Sequence, residues 1–260
     1  MTIARRPVAL VTGAASGIGA ATVRAIAGGC GGLALHTRGA SEETRHRLAR
    51  VADAARAEGA KVLELYGDLA RAGTGQEIAK KAVAHFGQLD HLVANAGFAD
   101  RRSTVELTRG DFDQSMATMA GAFFELAQGT QNALAASPQG RIVYVSSFVA
   151  HRFAPSALFP SSAAAKAAGE ALMKSLAAEL APRGVTVNAV VPGYTRKDSG
   201  HTALAPHSTS AVYETGTAAT PLGRIAEPND IAALIAFLLS PAARHITGQA
   251  IAVDGGLSLG

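Results

Sequence analysis

Tryptophan is absent from this 260-residue chain, cysteine occurs once and tyrosine four times. A single cysteine excludes an internal disulfide. Cys30, set among Gly28, Gly29, Gly31 and Gly32, reads as a small buried or half-buried residue after the first helix rather than as a nucleophile. No stretch approaches the roughly 18 apolar residues of a membrane span. The apolar run Pro7–Val11 is too short for a signal peptide. The expectation is a soluble, cytoplasmic protein. An excess of one charge is also nearly absent: 24 basic residues face 20 acidic ones, scattered apart from a loose cluster between Arg38 and Arg56. That balance suits modest anion affinity and argues against a nucleic-acid partner. None of the eight histidines stands at metal-ligand spacing from Cys, Asp or Glu, so no metal is expected.

What the chain does have is apolar bulk, 48% hydrophobic against 17% charged residues, enough for one globular α/β domain over 1–260. Short apolar runs alternate with longer amphipathic ones, the pattern of a parallel sheet covered on both faces. Strands are expected at Val8–Thr12, Leu33–Thr37, Lys61–Tyr66, His91–Ala94, Arg141–Ser146, Thr186–Val190 and Ala250–Val253. Helices are expected at Gly17–Gly28, Glu42–Glu58, Gly73–Phe86, Asp111–Ala136, Ser161–Ala181 and Pro228–Leu239. Ser41 serves as an N-cap, Pro228 as a first-turn residue, and Ala181-Pro182-Arg183-Gly184 as a stop. Right-handed crossovers then give a doubly wound, Rossmann-type sheet of seven parallel strands. The Ser-, Thr- and His-rich segment 195–220 fits none of these elements; it is read as a substrate lid or a surface excursion.

The most specific signal is Thr12-Gly13-Ala14-Ala15-Ser16-Gly17-Ile18-Gly19, placed between the first strand and the first helix. Glycine is required where backbone turns sharply and approaches a pyrophosphate, whose oxygens the helix start receives. At the end of the second strand the chain reads His36-Thr37-Arg38-Gly39-Ala40-Ser41, with no carboxylate before Glu42. A carboxylate there would favour NAD, whereas Arg38 with Thr37 suits a 2′-phosphate. The expected cofactor is NADP(H), with a solvated surface arginine as the alternative reading of Arg38.

These residues, with Asn95-Ala96-Gly97, Pro192-Gly193, Pro221-Leu222-Gly223-Arg224, Thr247-Gly248-Gln249 and Val253-Asp254-Gly255-Gly256, resemble the short-chain dehydrogenase/reductase family nearly end to end. The branch most like it is that of ketoacyl-carrier-protein reductases. The resemblance implies cofactor contacts from Gly13, Ser16, Gly17, Ile18, Gly19, Asp68, Leu69, Asn95, Ala96, Gly97, Pro192, Gly193 and Thr195, with Lys166 on the nicotinamide ribose. Asp68 also reads as a helix cap. By the same resemblance the protein is a homotetramer, joined partly by the two long helices, with the small-residue face Ala163, Ala164, Ala167, Ala168 and Ala171 permitting close packing.

In the family, a tyrosine four residues before the lysine gives a proton to the alkoxide left by hydride transfer, a serine binds the substrate oxygen, and an asparagine holds a relay water. Ser147 fits the serine and Lys166 the lysine, but the asparagine position reads Thr118 and the tyrosine position reads Ser162. A place that usually holds threonine reads Lys197. No tyrosine lies between Tyr144 and Tyr194, so no shift of alignment restores one. Serine is a weaker acid on a shorter stem. Substitute donors are His151, Lys166 itself if its pKa is depressed, and Tyr194, Tyr213, His201 or His207. Three readings stay open: an NADP(H)-dependent oxidoreductase of a ketone or alcohol with an atypical proton donor, a non-catalytic NADP(H)-binding protein, or a non-redox reaction in a pocket bordered by Phe148, Phe153, Leu158 and Phe159.

Overall fold

The computed structural model describes residues 5–155, 158–197 and 209–259. Seven parallel strands form one sheet in the order β3-β2-β1-β4-β5-β6-β7. They are β1 (Val8–Thr12), β2 (Gly32–Thr37), β3 (Lys61–Tyr66), β4 (His91–Ala94), β5 (Arg141–Val145), β6 (Thr186–Pro192) and β7 (Ala250–Val253). Every residue of β1, β2, β4, β5 and β6 is buried, as expected of strands covered on both faces. Edge strand β3 is half exposed and carries Glu64 and Tyr66 outward.

Among the described residues eight α-helices accompany the sheet: α1 (Gly17–Ile26), α2 (Glu42–Ala57), α3 (Thr74–Phe86), α4 (Arg109–Met116), α5 (Ala122–Ala136), α6 (Pro160–Leu180), α7 (Thr209–Ala219) and α8 (Pro228–Leu239). One core layer joins α1, α2 and α8 to one face of the sheet through Leu35, Leu48, Val143 and Ile235. The other joins α3, α5 and α6 to the opposite face through Leu10, Ile78, Phe123 and Met173. Ser41 accepts the Thr44 N–H at 3.2 Å as the N-cap of α2, and Gly184 ends the turn after α6 at φ +76°. Cys30 is buried, which pushes its thiol up to about 12 and removes it from nucleophilic chemistry.

Beyond shifts of one or two residues at several element ends, three differences from the elements read in the sequence stand out. The expected single helix 111–136 is two helices joined by a π-helical turn, Ala117–Gly121, which inserts one extra residue per turn without breaking the run. β6 runs on through Val191 to Pro192, because Pro192 sits at a strand end where no ladder N–H is needed. The unassigned segment contains α7, and Thr195 bridges to Ala226. Residues 198–208 of that segment, with His201 and His207, lie outside the described residues. No described helix is long and apolar enough to cross a membrane.

The β5–α6 contact is unusually tight. The Tyr144 ring stacks on Phe123 at 4.7 Å between centroids. Its buried hydroxyl, with no hydrogen-bond partner among the described residues, faces Gly169 of α6. A Cβ at Gly169 would stand 2.3 Å from that hydroxyl oxygen. Gly169→Ala is therefore expected to destabilise the fold by about 1–3 kcal/mol through overpacking, read as a lower urea midpoint at unchanged slope.

Candidate active site

The strand order changes direction between β1 and β4, and the chain leaving β1 reverses beside the chain leaving β4. Open α/β sheets bind ligands in this crevice, outside the carboxyl ends of the strands. One hydroxyl ties its two sides together. Thr12 Oγ1 accepts the Asn95 N–H at 3.0 Å and the Ala96 N–H at 3.1 Å, and donates to the Val93 carbonyl at 3.4 Å. Asn95 Nδ2 returns hydrogen bonds to the carbonyls of Thr12 at 2.9 Å and Gly13 at 3.3 Å.

This clamp gives the glycines a further reason to exist. A Cβ on Gly19 would lie 2.1 Å from the Gly13 carbonyl oxygen, and one on Gly13 would lie 2.8 Å from Asn95 Nδ2. Backbone therefore lies against backbone at the start of α1. Ser16 stands at the N-cap in extended conformation and makes no capping bond with its side chain. A helix start of this kind, with Ile18 and Gly19 in its first turn, suits a dinucleotide pyrophosphate, so the cradle fits that group.

At the end of β2, Thr37 is buried and Arg38 is exposed. His36 contacts the Gly67 carbonyl at 3.0 Å and is driven by burial down to about 4, so it is neutral. No carboxylate is paired with Arg38 among the described residues. The Ser41 hydroxyl is shared between its capping bond and Thr44 Oγ1. Asp68 accepts the Ala70 N–H at 3.0 Å and Leu69 is buried. Asp68 does not cap a helix, because α3 begins at Thr74 and its first N–H groups are taken by Glu125 across the fold.

Lys166 is 6% exposed on α6. Its Nζ donates to the Val145 carbonyl at 2.6 Å, stands 5.1 Å from the centroid of the Tyr144 ring, and would lie 3.0 Å from a Cβ on Gly97. The fold thus brings Lys166 between the end of β5 and the Asn95-Ala96-Gly97 turn. Burial lowers its ammonium to about 8, partly opposed by the charge of Glu170. Ser147 opens the turn after β5 and accepts the Val149 N–H at 3.5 Å. Pro192 ends β6, and the Gly193 N–H reaches the Val253 carbonyl at 3.2 Å. Thr195 donates to the Gly193 carbonyl at 3.1 Å.

The remaining candidates are placed differently from a bare reading of spacing. Ser162 is 1% exposed, and its Oγ accepts the Asp100 backbone N–H at 2.9 Å. It faces the loop after β4 and anchors it. His151 turns Nε2 to Glu170 Oε1 at 2.8 Å, and Ser146 donates its hydroxyl to that same oxygen. Thr118 lies in the π-helical turn and accepts from Gln114 Nε2 at 3.3 Å. Tyr194 packs on Phe148 at 4.6 Å, and the Tyr213 hydroxyl accepts the Lys197 N–H at 3.1 Å.

Glu170, Asp100 and Tyr144 escaped the sequence reading. Glu170 had a signal, as an acid one helical turn after Lys166 on the helix face shared with Ser162 and Met173. Tyr144 had one too, since a period of two puts it on the same face of β5 as Ser146. Its ring reaches Lys166, but its hydroxyl points at Gly169 and burial raises its pKa, so it is not placed to donate a proton. Asp100 sits in an irregular loop and had no signal. Among the described residues no three His, Cys, Asp or Glu side chains converge as a metal site would need.

A family model described as Enoyl-(Acyl carrier protein) reductase matches residues 13–258. The chain is 36% identical over 253 residues to cis-4-hydroxycyclohexanecarboxylate dehydrogenase of Sinomonas cyclohexanicum, covering 96% of this chain and 95% of that one. It is 33% identical over 249 residues to L-rhamnose 1-dehydrogenase (NAD(P)(+)) of Azotobacter vinelandii, with 95% of each covered. Among solved structures, a short-chain dehydrogenase from Burkholderia cenocepacia in complex with NADP superposes with a TM-score of 0.85 at 30% identity, over 97% of this chain and 98% of that one.

The depressed Lys166 ammonium makes stability depend on pH. An unfolded lysine titrates near its ordinary 10.5, so between about 8 and 10.5 the unfolded chain binds more protons than the folded one, and stability rises with pH. Below that window both states are protonated and the buried charge is a constant cost. The stability of the cofactor-free wild type relative to Lys166→Met is therefore expected to climb as pH passes through this window. Urea unfolding of both proteins across it tests this, and a difference independent of pH would place the ammonium in water.

Proposed function

Because the chain belongs to the short-chain dehydrogenase/reductase family, we propose that it is an NADP(H)-dependent oxidoreductase that interconverts a ketone and an alcohol without a catalytic tyrosine. The observation that carries this reading is the buried Lys166 at the junction of the Asn95-Ala96-Gly97 turn and β5, beside a crevice whose glycine loop accepts backbone-to-phosphate approach. Gly13, Ser16, Gly17, Ile18 and Gly19 would hold the pyrophosphate. Thr37 and Arg38 would hold the 2′-phosphate, Asp68 and Leu69 the adenine, and Asn95, Ala96, Gly97, Pro192, Gly193 and Thr195 the nicotinamide half. When bound, the reduced nicotinamide supplies the hydride.

The side chains of this protein supply the rest. Ser147 hydrogen-bonds the substrate oxygen and fixes the carbonyl. The alkoxide left by hydride addition then takes a proton. Lys166 is suited to give it, directly or through one water, because its burial brings its pKa close to neutrality. Ser162 is poorly suited to donate: an aliphatic hydroxyl is a much weaker acid than a phenol, and this one faces the loop after β4, where it accepts the Asp100 N–H. His151, whose side chain is exposed and oriented by Glu170, is the reserve proton source.

A second reading, an NADP(H)-binding protein without turnover, draws on the same Ser162–Asp100 bond, which gives Ser162 a structural reason unrelated to chemistry. NADPH oxidation over a panel of ketones separates the two. The first predicts turnover by the wild type. It also predicts an NADPH preference over NADH that falls by about tenfold or more in Arg38→Ala, the loss of one charge-assisted phosphate contact. NADPH binding without turnover, with activity gained only in Ser162→Tyr, would establish the second reading. A preference for NADH would overturn the cofactor assignment.

The proposed assembly draws on α6. Ala167 and Ala171 are exposed, and Ala164 and Ala168 are half-buried, leaving a small-residue face of α6 uncovered. We propose that this face packs against a second copy within a homotetramer. Size-exclusion chromatography with light scattering is expected to give four times the chain mass of 26.4 kDa; a monomer would refute it.

A further inference from the structure

The loop between β4 and α4 is braced from three sides. Asp100, itself buried, gives its N–H to Ser162. Its carboxylate takes Arg102 at 2.6 Å, and Arg102 reaches on to Asp111 at 2.8 Å. Asp111 in turn closes the capping box of α4 with Thr108. Arg102 is thus neutralised by two acids.

Its neighbour Arg101 is treated differently. The chain direction fixed by the Asp100 bond sends its side chain the other way, over the ring of Phe159 at 5.6 Å. Among the described residues no carboxylate is paired with Arg101. Phe159 packs edge-on against Phe148, one residue past Ser147, and Leu158 and Phe153 are exposed on the same connection. An uncompensated guanidinium therefore lies on an apolar wall that starts at the substrate-binding serine. A guanidinium stacked on an aromatic face loses little of its capacity to receive a planar oxyanion through its outer N–H groups.

We propose that Arg101, presented over Phe159 by the Asp100–Ser162 bond, recognises a substrate that carries an oxyanion, a carboxylate or phosphate monoester, on an apolar body. In this arrangement Ser162 is a positioning residue: the hydroxyl at that place holds the loop that carries the specificity arginine. The inference deepens the oxidoreductase reading and rests on it for the word substrate, although the anion site itself does not depend on turnover.

Calorimetric titration of the NADPH-loaded protein tests it with three probes that share one ring: cyclohexanecarboxylate, cyclohexyl phosphate and cyclohexanecarboxamide. The wild type is expected to bind at least one anion about tenfold or more tightly than the amide, and the stronger of the two identifies the oxyanion. Arg101→Met keeps the apolar stem on Phe159 and should abolish that gap without weakening the amide. Ser162→Ala should narrow the gap and speed trypsin cleavage after Arg101 or Arg102, while Ser162→Thr, which retains the hydroxyl, should resist cleavage like the wild type. Should Ser162→Ala fail to fold, the threonine and Arg101→Met variants decide the matter alone. Equal affinity for anion and amide, or a preference that survives Arg101→Met, overturns the proposal. An intact anion preference with no ketone turnover would sink the redox reading and leave the anion site standing. If NADPH does not bind, the same titrations on the unloaded protein test Arg101.

Discussion

The hydroxyl of Thr12 is the pivot of this molecule. A threonine hydroxyl has one proton and two lone pairs, and here all three are used, by Val93, Asn95 and Ala96. Those bonds splice the end of β1 to the end of β4 at the one place where neighbouring connections diverge. Asn95 then returns its amide to the Thr12 and Gly13 carbonyls, leaving no room for a side chain at Gly13 or Gly19. The glycine loop, the start of α1 and the turn beneath Lys166 are positioned from this splice. The crevice is therefore pre-organised by neutral hydrogen bonds in a buried setting, where an unmade bond is expensive.

A second constraint governs the opposite side of the crevice. Helix α6 lies so close to β5 that Gly169 touches the Tyr144 hydroxyl, and the same approach places Lys166 against the Val145 carbonyl and Glu170 against Ser146 and His151. A charged lysine in this position is costly by burial alone. The carbonyl, the Tyr144 ring face and the nearby carboxylate each offset part of that cost, and the residual shows as a depressed pKa. Packing geometry and proton affinity are here two descriptions of one contact.

Much of this was legible in the residues. Fully buried strands announce themselves as Val-, Ile- and Leu-rich runs. The loop Gly13–Gly19 was readable because close backbone approach admits only glycine, and Lys166 because its surroundings match a known pattern. The single helix expected over 111–136 was not, since a π-helical turn adds a residue without leaving a breaker in the sequence. The partners of Ser162 and His151 were hidden for a different reason. Asp100 lies 62 positions from Ser162 and Glu170 lies 19 from His151, and neither separation has any periodicity to read. Spacing could identify Ser162 as the residue before the lysine's turn, but only tertiary structure assigns its hydroxyl to a loop backbone.

That assignment bears on what a change at position 162 would do. Once a serine hydroxyl has become the acceptor for a buried backbone N–H, a tyrosine at the same place brings back an acid but withdraws the acceptor and intrudes on the loop that depends on it. A single substitution there exchanges an acceptor for the loop against an acid for the crevice. The Ser162–Asp100 bond thus couples position 162 to the loop 62 residues upstream, so that a change at one has to answer to the other.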